Sequence, residues 1–151
     1  MTFQEKNITV SLVNFTLMLG FFLIRLFQLI QNETFTAPNV FRLWVIVIVL
    51  SIVITIAATI LTHIVSAIIQ VIKTGEKEPD IEDIADERDK FIDLKGTKIT
   101  YTVSSIGVFL AMLTFTFEQP PLVMFTLLIF FGIVAQIIGD ISRLILYRRG
   151  F

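Results

Sequence analysis

Four long apolar runs dominate this 151-residue chain, covering residues 8–30, 43–72, 101–117 and 122–147. A helix that crosses ~30 Å of hydrocarbon needs about 20 mostly apolar residues. Runs one, two and four reach that length, and the 101–117 run reaches it when its first turns lie in the membrane interface. A soluble domain of this size could not bury so much apolar surface. The runs therefore predict an all-α integral membrane protein: one transmembrane domain, residues 1–151, whose four spans form an antiparallel bundle.

The composition excludes several classes of function. The formal net charge is −1, so no overall basic field attracts nucleic acid. Cysteine is absent, which removes disulfides, thiolate nucleophiles and cysteine-based metal centres. A single histidine cannot provide a site built from several imidazoles within one chain. We expect no metal, no cofactor and no nucleic-acid partner.

The distribution of cations predicts the orientation in the membrane. Lysine and arginine concentrate in the short loops on the cytoplasmic side of membrane proteins. In this chain they cluster between spans two and three and at the C-terminus, whereas the connections at residues 31–40 and 118–121 contain none. The pattern predicts a multi-pass membrane protein with both termini and the loop at residues 74–99 in the cytoplasm.

The 74–99 loop is the one long polar segment. Its apolar residues Ile81, Ile84 and Phe91 follow a roughly helical spacing after Pro79. Proline suits a first helical turn, and the carboxylates that follow it would lie near the positive end of the helix dipole. The spacing predicts a cytoplasmic amphipathic helix over residues 80–95 on the membrane surface, with a bend at Gly96 before the third span.

Two interpretations of this loop remain open. It is either a solvated connector whose charges pair with one another, or a docking surface for a membrane or cytoplasmic protein partner. The candidate docking residues are Asp80, Asp83, Asp86, Glu87, Arg88 and Asp89. The carboxylates do not have the spacing of a calcium-binding loop, so no metal site is predicted.

Two strings in the second half of the chain carry a resemblance. DERDKFIDLKGTKITY at residues 86–101 precedes the third span, and YRRGF at residues 147–151 closes the chain. With the two spans between them, they resemble a group of small four-span prokaryotic membrane proteins, described as uncharacterised, with a DERD…KG segment before span three and a C-terminal YRRG. The resemblance implies the four-span topology and a prokaryotic inner membrane, and it implies no activity.

Polar side chains inside the spans form a predicted layer near the cytoplasmic ends of the helices. Ionisable groups within spans are costly and often functional. One interpretation is a hydrogen-bond network that fixes helix packing, at about 1 kcal/mol or less per bond. The other is a His63–Asp140 pair accessible to protons. Arg143 lies one turn after Asp140 and is the expected first partner of that carboxylate. The layer comprises Asn14, His63, Ser66, Ser104, Gln136, Asp140 and Arg143.

Two further features sit in the spans. Near the outer leaflet, Arg25 either extends to the lipid headgroups or pairs with Glu118. On span four, Gly132, Ala135 and Gly139 form a face of small residues that permits close helix approach. This face serves either packing inside the bundle or a homo-oligomer.

No set of nucleophile, base and orienting group is apparent, so we do not expect an enzyme. Four short spans cannot enclose much of a pathway, and transport would require several copies. The sequence therefore predicts a non-catalytic accessory, scaffold or regulatory membrane protein that acts through its acidic cytoplasmic helix. The alternative is an oligomeric small transporter or channel, linked to protons through His63 and Asp140.

Overall fold

The structure, a computed structural model, describes residues 3–74 and 87–149. Within those ranges every regular element is a helix: α1 (Phe3–Gln31), α2 (Ala37–Thr74), α3 (Glu87–Thr116) and α4 (Pro121–Arg148). Each helix contains a stretch long and apolar enough to cross a membrane. The prediction of an all-α protein with four candidate spans is confirmed.

The helices form a bent row in the order α3, α4, α1, α2. α4 packs along both α3 and α1, α1 packs along α2, and α2 touches α4 only briefly. In the most apolar part of α4, 22% of the residues are buried, compared with 6% in α2. α4 is therefore the centre of the bundle, and α2 is its edge.

Both short turns end their preceding helices in the same way. Glu33 and Glu118 adopt left-handed backbone conformations, with φ of 56° and 58°. The N–H of Thr34 donates to the carbonyl of Leu29 (2.9 Å), and the N–H of Gln119 donates to that of Thr114 (3.1 Å). These bonds satisfy carbonyls that a helix end leaves open. We call this side of the bundle the turn end, and the side where α1 and α3 begin the charged end.

The third span is longer than predicted, and the expected surface helix with a bend at Gly96 is corrected. Residues 87–95 are the first turns of α3 itself, which runs unbroken through Gly96. Gly96 is buried because the side chain of Arg143 crosses α3 at this point. A Cβ there would collide with Arg143 Cγ and lie 2.7 Å from Nε. The glycine therefore provides close approach rather than a bend. Residues 80–86 of the expected helix lie outside the described residues.

The small-residue face of α4 packs inside the bundle. Ala135 and Gly139 are buried, and a Cβ on Gly139 would collide with Thr100 Oγ1 of α3. Gly132 has no neighbour within 4 Å. α3 of the same chain therefore occupies this face at Gly139, and a homo-oligomer through Gly132, Ala135 and Gly139 stays a prediction.

The apolar core lies toward the turn end. Phe22, Leu43, Val47 and Ile133 bring α1, α2 and α4 together there. Many other large apolar side chains point outward, and Phe109 in α3 is 63% exposed. Such an exterior suits a lipid solvent, in which helices associate by packing and polar contacts rather than by hiding apolar surface from water.

Candidate functional site

Polar side chains of α1 and α4 converge on Asp140 at the charged end. This residue is only 2% exposed. Its carboxylate accepts hydrogen bonds from Ser11 Oγ of α1 (2.6 Å), from Arg143 Nη1 (3.0 Å) and from Gln136 Nε2 (3.2 Å). A buried charge requires such partners, because burial removes its hydration. Asp140 consequently ties α1 to α4, and His63 is not among its partners in the part of the chain that the structure describes.

Arg143 extends this network to α3. Its Nε donates to Asp93 Oδ1 (2.9 Å) and its Nη2 donates to Thr97 Oγ1 (2.8 Å). The Arg143 side chain is 11% exposed, whereas that of Asp93 is 71% exposed. The planar guanidinium presents several donors in a fixed geometry, which lets one side chain bond two carboxylates and a hydroxyl at once. Arg143 therefore connects a buried carboxylate of α4 with an exposed carboxylate of α3.

A second set of contacts joins the start of α3 to the end of α4. Tyr147 Oη donates to Asp89 Oδ1 (2.7 Å). Arg88 Nη2 donates to the main-chain carbonyl of Tyr147 (3.1 Å), and the guanidinium lies 5.8 Å from the centre of the Tyr147 ring. We call residues 87–98, the polar part of α3, the α3 arm. These contacts and those of Arg143 hold the α3 arm against α4.

A cavity of about 430 Å³ opens between α1, α3 and α4 beside this network. It has room for on the order of ten water molecules or one small polar ligand. Besides Asp140, Arg143 and their neighbours on α4, its wall includes Gln4, Asn7 and Ser11 of α1 and Asp89, Lys90 and Asp93 of α3. The Asn7 Oδ1 atom is buried and has no hydrogen-bond partner. We call this space the charged-end cavity.

The predicted polar layer separates into groups. Gln136, Asp140 and Arg143 come together at the cavity. Asn14, 4% exposed, instead donates through Nδ2 to Thr55 Oγ1 (2.8 Å) and joins α1 to α2. His63 and Ser104 are half-buried on α2 and α3, away from the cavity wall. The side chain of Ser66 lies outside the described part of the structure.

The remaining candidate residues are not part of the network around Asp140 and Arg143, or they lie outside the described ranges. Arg25 donates to Gln28 Oε1 of its own helix (3.0 Å) and lies 6.0 Å from the Phe21 ring centre, while Glu118 is exposed in the second turn. The structure does not pair Arg25 with Glu118. Among the docking residues, Glu87 and Arg88 are exposed on the α3 arm and Asp89 faces the cavity, and three others, Asp80, Asp83 and Asp86, lie outside the described residues.

Sequence reasoning missed four members of the network: Ser11, Asp93, Thr97 and Tyr147. Ser11 is separated from Asp140 by 129 positions, and Tyr147 from Asp89 by 58, so no local spacing could indicate these contacts. The sequence contained one indication of the site, because the two strings that carry the resemblance both contribute residues to it. Their described parts, residues 87–101 and 147–149, meet at the charged end.

The chain matches no family model, no curated protein and no solved structure. Within residues 3–74 and 87–149, no group of three or more His, Asp or Glu side chains is arranged to hold a metal ion. The carboxylate of Asp140 is engaged by three donors and suits a structural role. The arrangement can hold three helices together and offer a polar cavity beside them.

Proposed function

We propose that the protein is a non-catalytic accessory or regulatory subunit of a prokaryotic inner membrane that acts on a protein partner through the α3 arm. Both termini and the α3 arm lie on the cytoplasmic side in this proposal. The observation that carries it is the attachment of the α3 arm to α4 by Arg143, Tyr147 and Arg88. A mere connector between two spans needs no such attachment, whereas a docking surface benefits from being held in one orientation.

The outward face of the α3 arm supports this role. Phe91 is 47% exposed and Leu94 is 68% exposed, although both lie among charged residues. Lys95 Nζ lies 4.4 Å from the centre of the Phe91 ring. Apolar side chains surrounded by charges are typical of surfaces that bind a partner or rest at a membrane interface.

A photo-reactive residue can distinguish a protein partner from lipid. Placed at Leu94, it is expected to form a discrete protein adduct in native membranes. The matched control is the same residue at Phe109, which is 63% exposed on the apolar part of the same helix and should capture lipid. Lipid adducts alone at Leu94, or identical protein adducts at both positions, would contradict the proposed docking role.

The orientation can be tested by labelling single introduced cysteines, because the chain has no cysteine of its own that would react. Asn32 at the turn end and Glu87 at the charged end are both exposed. In intact cells a membrane-impermeant maleimide should label Asn32→Cys, because the turn end faces outward in the proposed topology. It should label Glu87→Cys only after the membrane is opened. Labelling of Glu87→Cys from outside would reverse the topology.

The transporter alternative receives less support. Transport linked to protons through His63 and Asp140 would be favoured by contact between the two residues. His63 instead lies on α2, at the edge of the row, and the described donors to Asp140 are Ser11, Gln136 and Arg143. If the adduct at Leu94 proves to be a second copy of this chain, the oligomer that transport requires would return to consideration.

A further inference from the structure

The net charge of the residues that line the charged-end cavity determines which ligands it favours. Three carboxylates, Asp89, Asp93 and Asp140, and two cationic side chains line it, giving a net charge of −1. Asp140 and Arg143 satisfy each other on the inner wall. The groups turned toward an incoming molecule are therefore chiefly acceptors, and a free anion would meet an excess of like charge.

Two side chains on the α3 arm define a more specific pattern. The Asp93 side chain is 71% exposed, and the bond from Arg143 reaches only its Oδ1 atom. Lys90, exposed one turn earlier on the same helix, lines the same cavity. Residues three apart on a helix are neighbours. The α3 arm thus presents a carboxylate and an ammonium side by side, which complements a ligand that carries both charges in the opposite order.

The opposite wall supplies a further acceptor. Asn7 Oδ1 lies buried on the α1 side without a hydrogen-bond partner, and an unsatisfied buried acceptor costs about 1–3 kcal/mol. Turning the Asn7 side chain toward the cavity would let a ligand with N–H donors satisfy it. A quaternary ammonium has no N–H group and could not.

The position of the cavity indicates how a ligand reaches it. Asp140 lies nineteen residues after Pro121, ~29 Å along the helix, and therefore at the level where hydrocarbon gives way to headgroups. α1 and α3 scarcely touch each other, so the gap between them leaves a side of the cavity open at that depth. A lipid headgroup can enter from the leaflet, and a small solute can enter from the water.

We propose that the charged-end cavity binds a primary ammonium group adjacent to a phosphodiester, the chemistry shared by an ethanolamine phospholipid headgroup and free glycerophosphoethanolamine, both of which carry no net charge. The ammonium donates to Asp93 and Asn7, and the phosphate pairs with Lys90. The site is separate from the outward face of the α3 arm, so a failure of either proposal leaves the other standing.

The test measures binding to the purified full-length protein by native mass spectrometry. The probes are phosphatidylethanolamine, phosphatidylcholine with the same acyl chains, and soluble glycerophosphoethanolamine. We expect the ethanolamine lipid to bind about tenfold more tightly than the choline lipid, since a charged hydrogen bond is lost with the N–H donors. Competition by glycerophosphoethanolamine would show that the headgroup alone suffices, and binding of the lipid alone would identify the leaflet as the source.

Substitutions of residues that line the charged-end cavity provide a second test. Asp93→Asn and Asn7→Leu should each weaken binding of the ethanolamine lipid by about tenfold and weaken choline lipid binding less, because the choline headgroup makes no N–H bond to either side chain. Glu87→Gln is the matched control, because it removes one exposed carboxylate of the α3 arm that does not line the cavity. Equal binding of both lipids, no effect of Asp93→Asn, or an equal loss in Glu87→Gln would overturn the proposal.

Discussion

Replacing Gly96 with leucine is expected to lower the free energy of unfolding by about 3 kcal/mol or more. Gly96 lies directly beneath the side chain of Arg143, whose Cγ and Nε occupy the space that a Cβ would need. The new side chain must push Arg143 away from α3. That movement separates the guanidinium from Asp93 and Asp140, so overpacking and the loss of a buried ion pair act together.

Gly132→Leu is the control for this substitution. Gly132 also lies within a helix, but apart from its own stretch of helix no atom lies within 4 Å of the position of its missing Cβ. Both replacements gain roughly 1 kcal/mol of helix propensity, so their difference isolates the contact with Arg143. Reversible unfolding in bicelles or mixed micelles provides the measurement. Equal stabilities of the two variants would show that α3 and α4 do not pack through Gly96.

Separating Asp140 from Arg143 should have an effect of the same size. Their side chains are 3% and 11% exposed. Removing one member of a buried pair leaves the other charge without its partner, at a cost of about 3–5 kcal/mol. We expect losses of that order in Asp140→Leu and in Arg143→Leu. The double variant Asp140→Leu/Arg143→Met should lose far less than the sum of the two single losses.

The double-mutant cycle reports this coupling directly. Asp93→Asn serves as the comparison, because its side chain is 71% exposed and a pair open to solvent contributes only about 0–1 kcal/mol. Additive losses in the cycle would mean that Asp140 and Arg143 stabilise the protein independently of each other. In that case the polar network would be a set of separate hydrogen bonds rather than a unit.

The lipid environment explains why the helices could be predicted. Every main-chain polar group in a hydrocarbon solvent must bond within its own segment, so long apolar runs can only be helices. The start of the third span departs from the prediction for a local reason. In the sequence, a glycine between a polar helix and an apolar helix is compatible with either a bend or close packing. At Gly96 the role is close packing, because Arg143 of another helix lies against it, and the local sequence does not contain that information.

The site was predictable only where its members are close in sequence. The spacing of Asp140 and Arg143 suggested their ion pair, and the structure contains it at 3.0 Å. The contacts of Ser11 and Asp93 depend on which helices become neighbours in the row, and similar apolar helices do not encode that order in their periodicity. Similar depth groups His63 with Asp140, and depth does not determine on which side of the bundle a residue lies.

The two helix hairpins meet through the first and the last of the four helices, α1 and α4. The N-terminal hairpin leaves the ribosome first, yet the main neighbour of α1 besides α2 is α4, which emerges last. Until then, Ser11 and Asn7 face lipid or other helices, and the Asn14–Thr55 bond is among the few polar contacts that keep α1 and α2 together. The two hairpins can therefore join only after α4 has been made, and the Ser11–Asp140 bond is one of the contacts that has to wait for it.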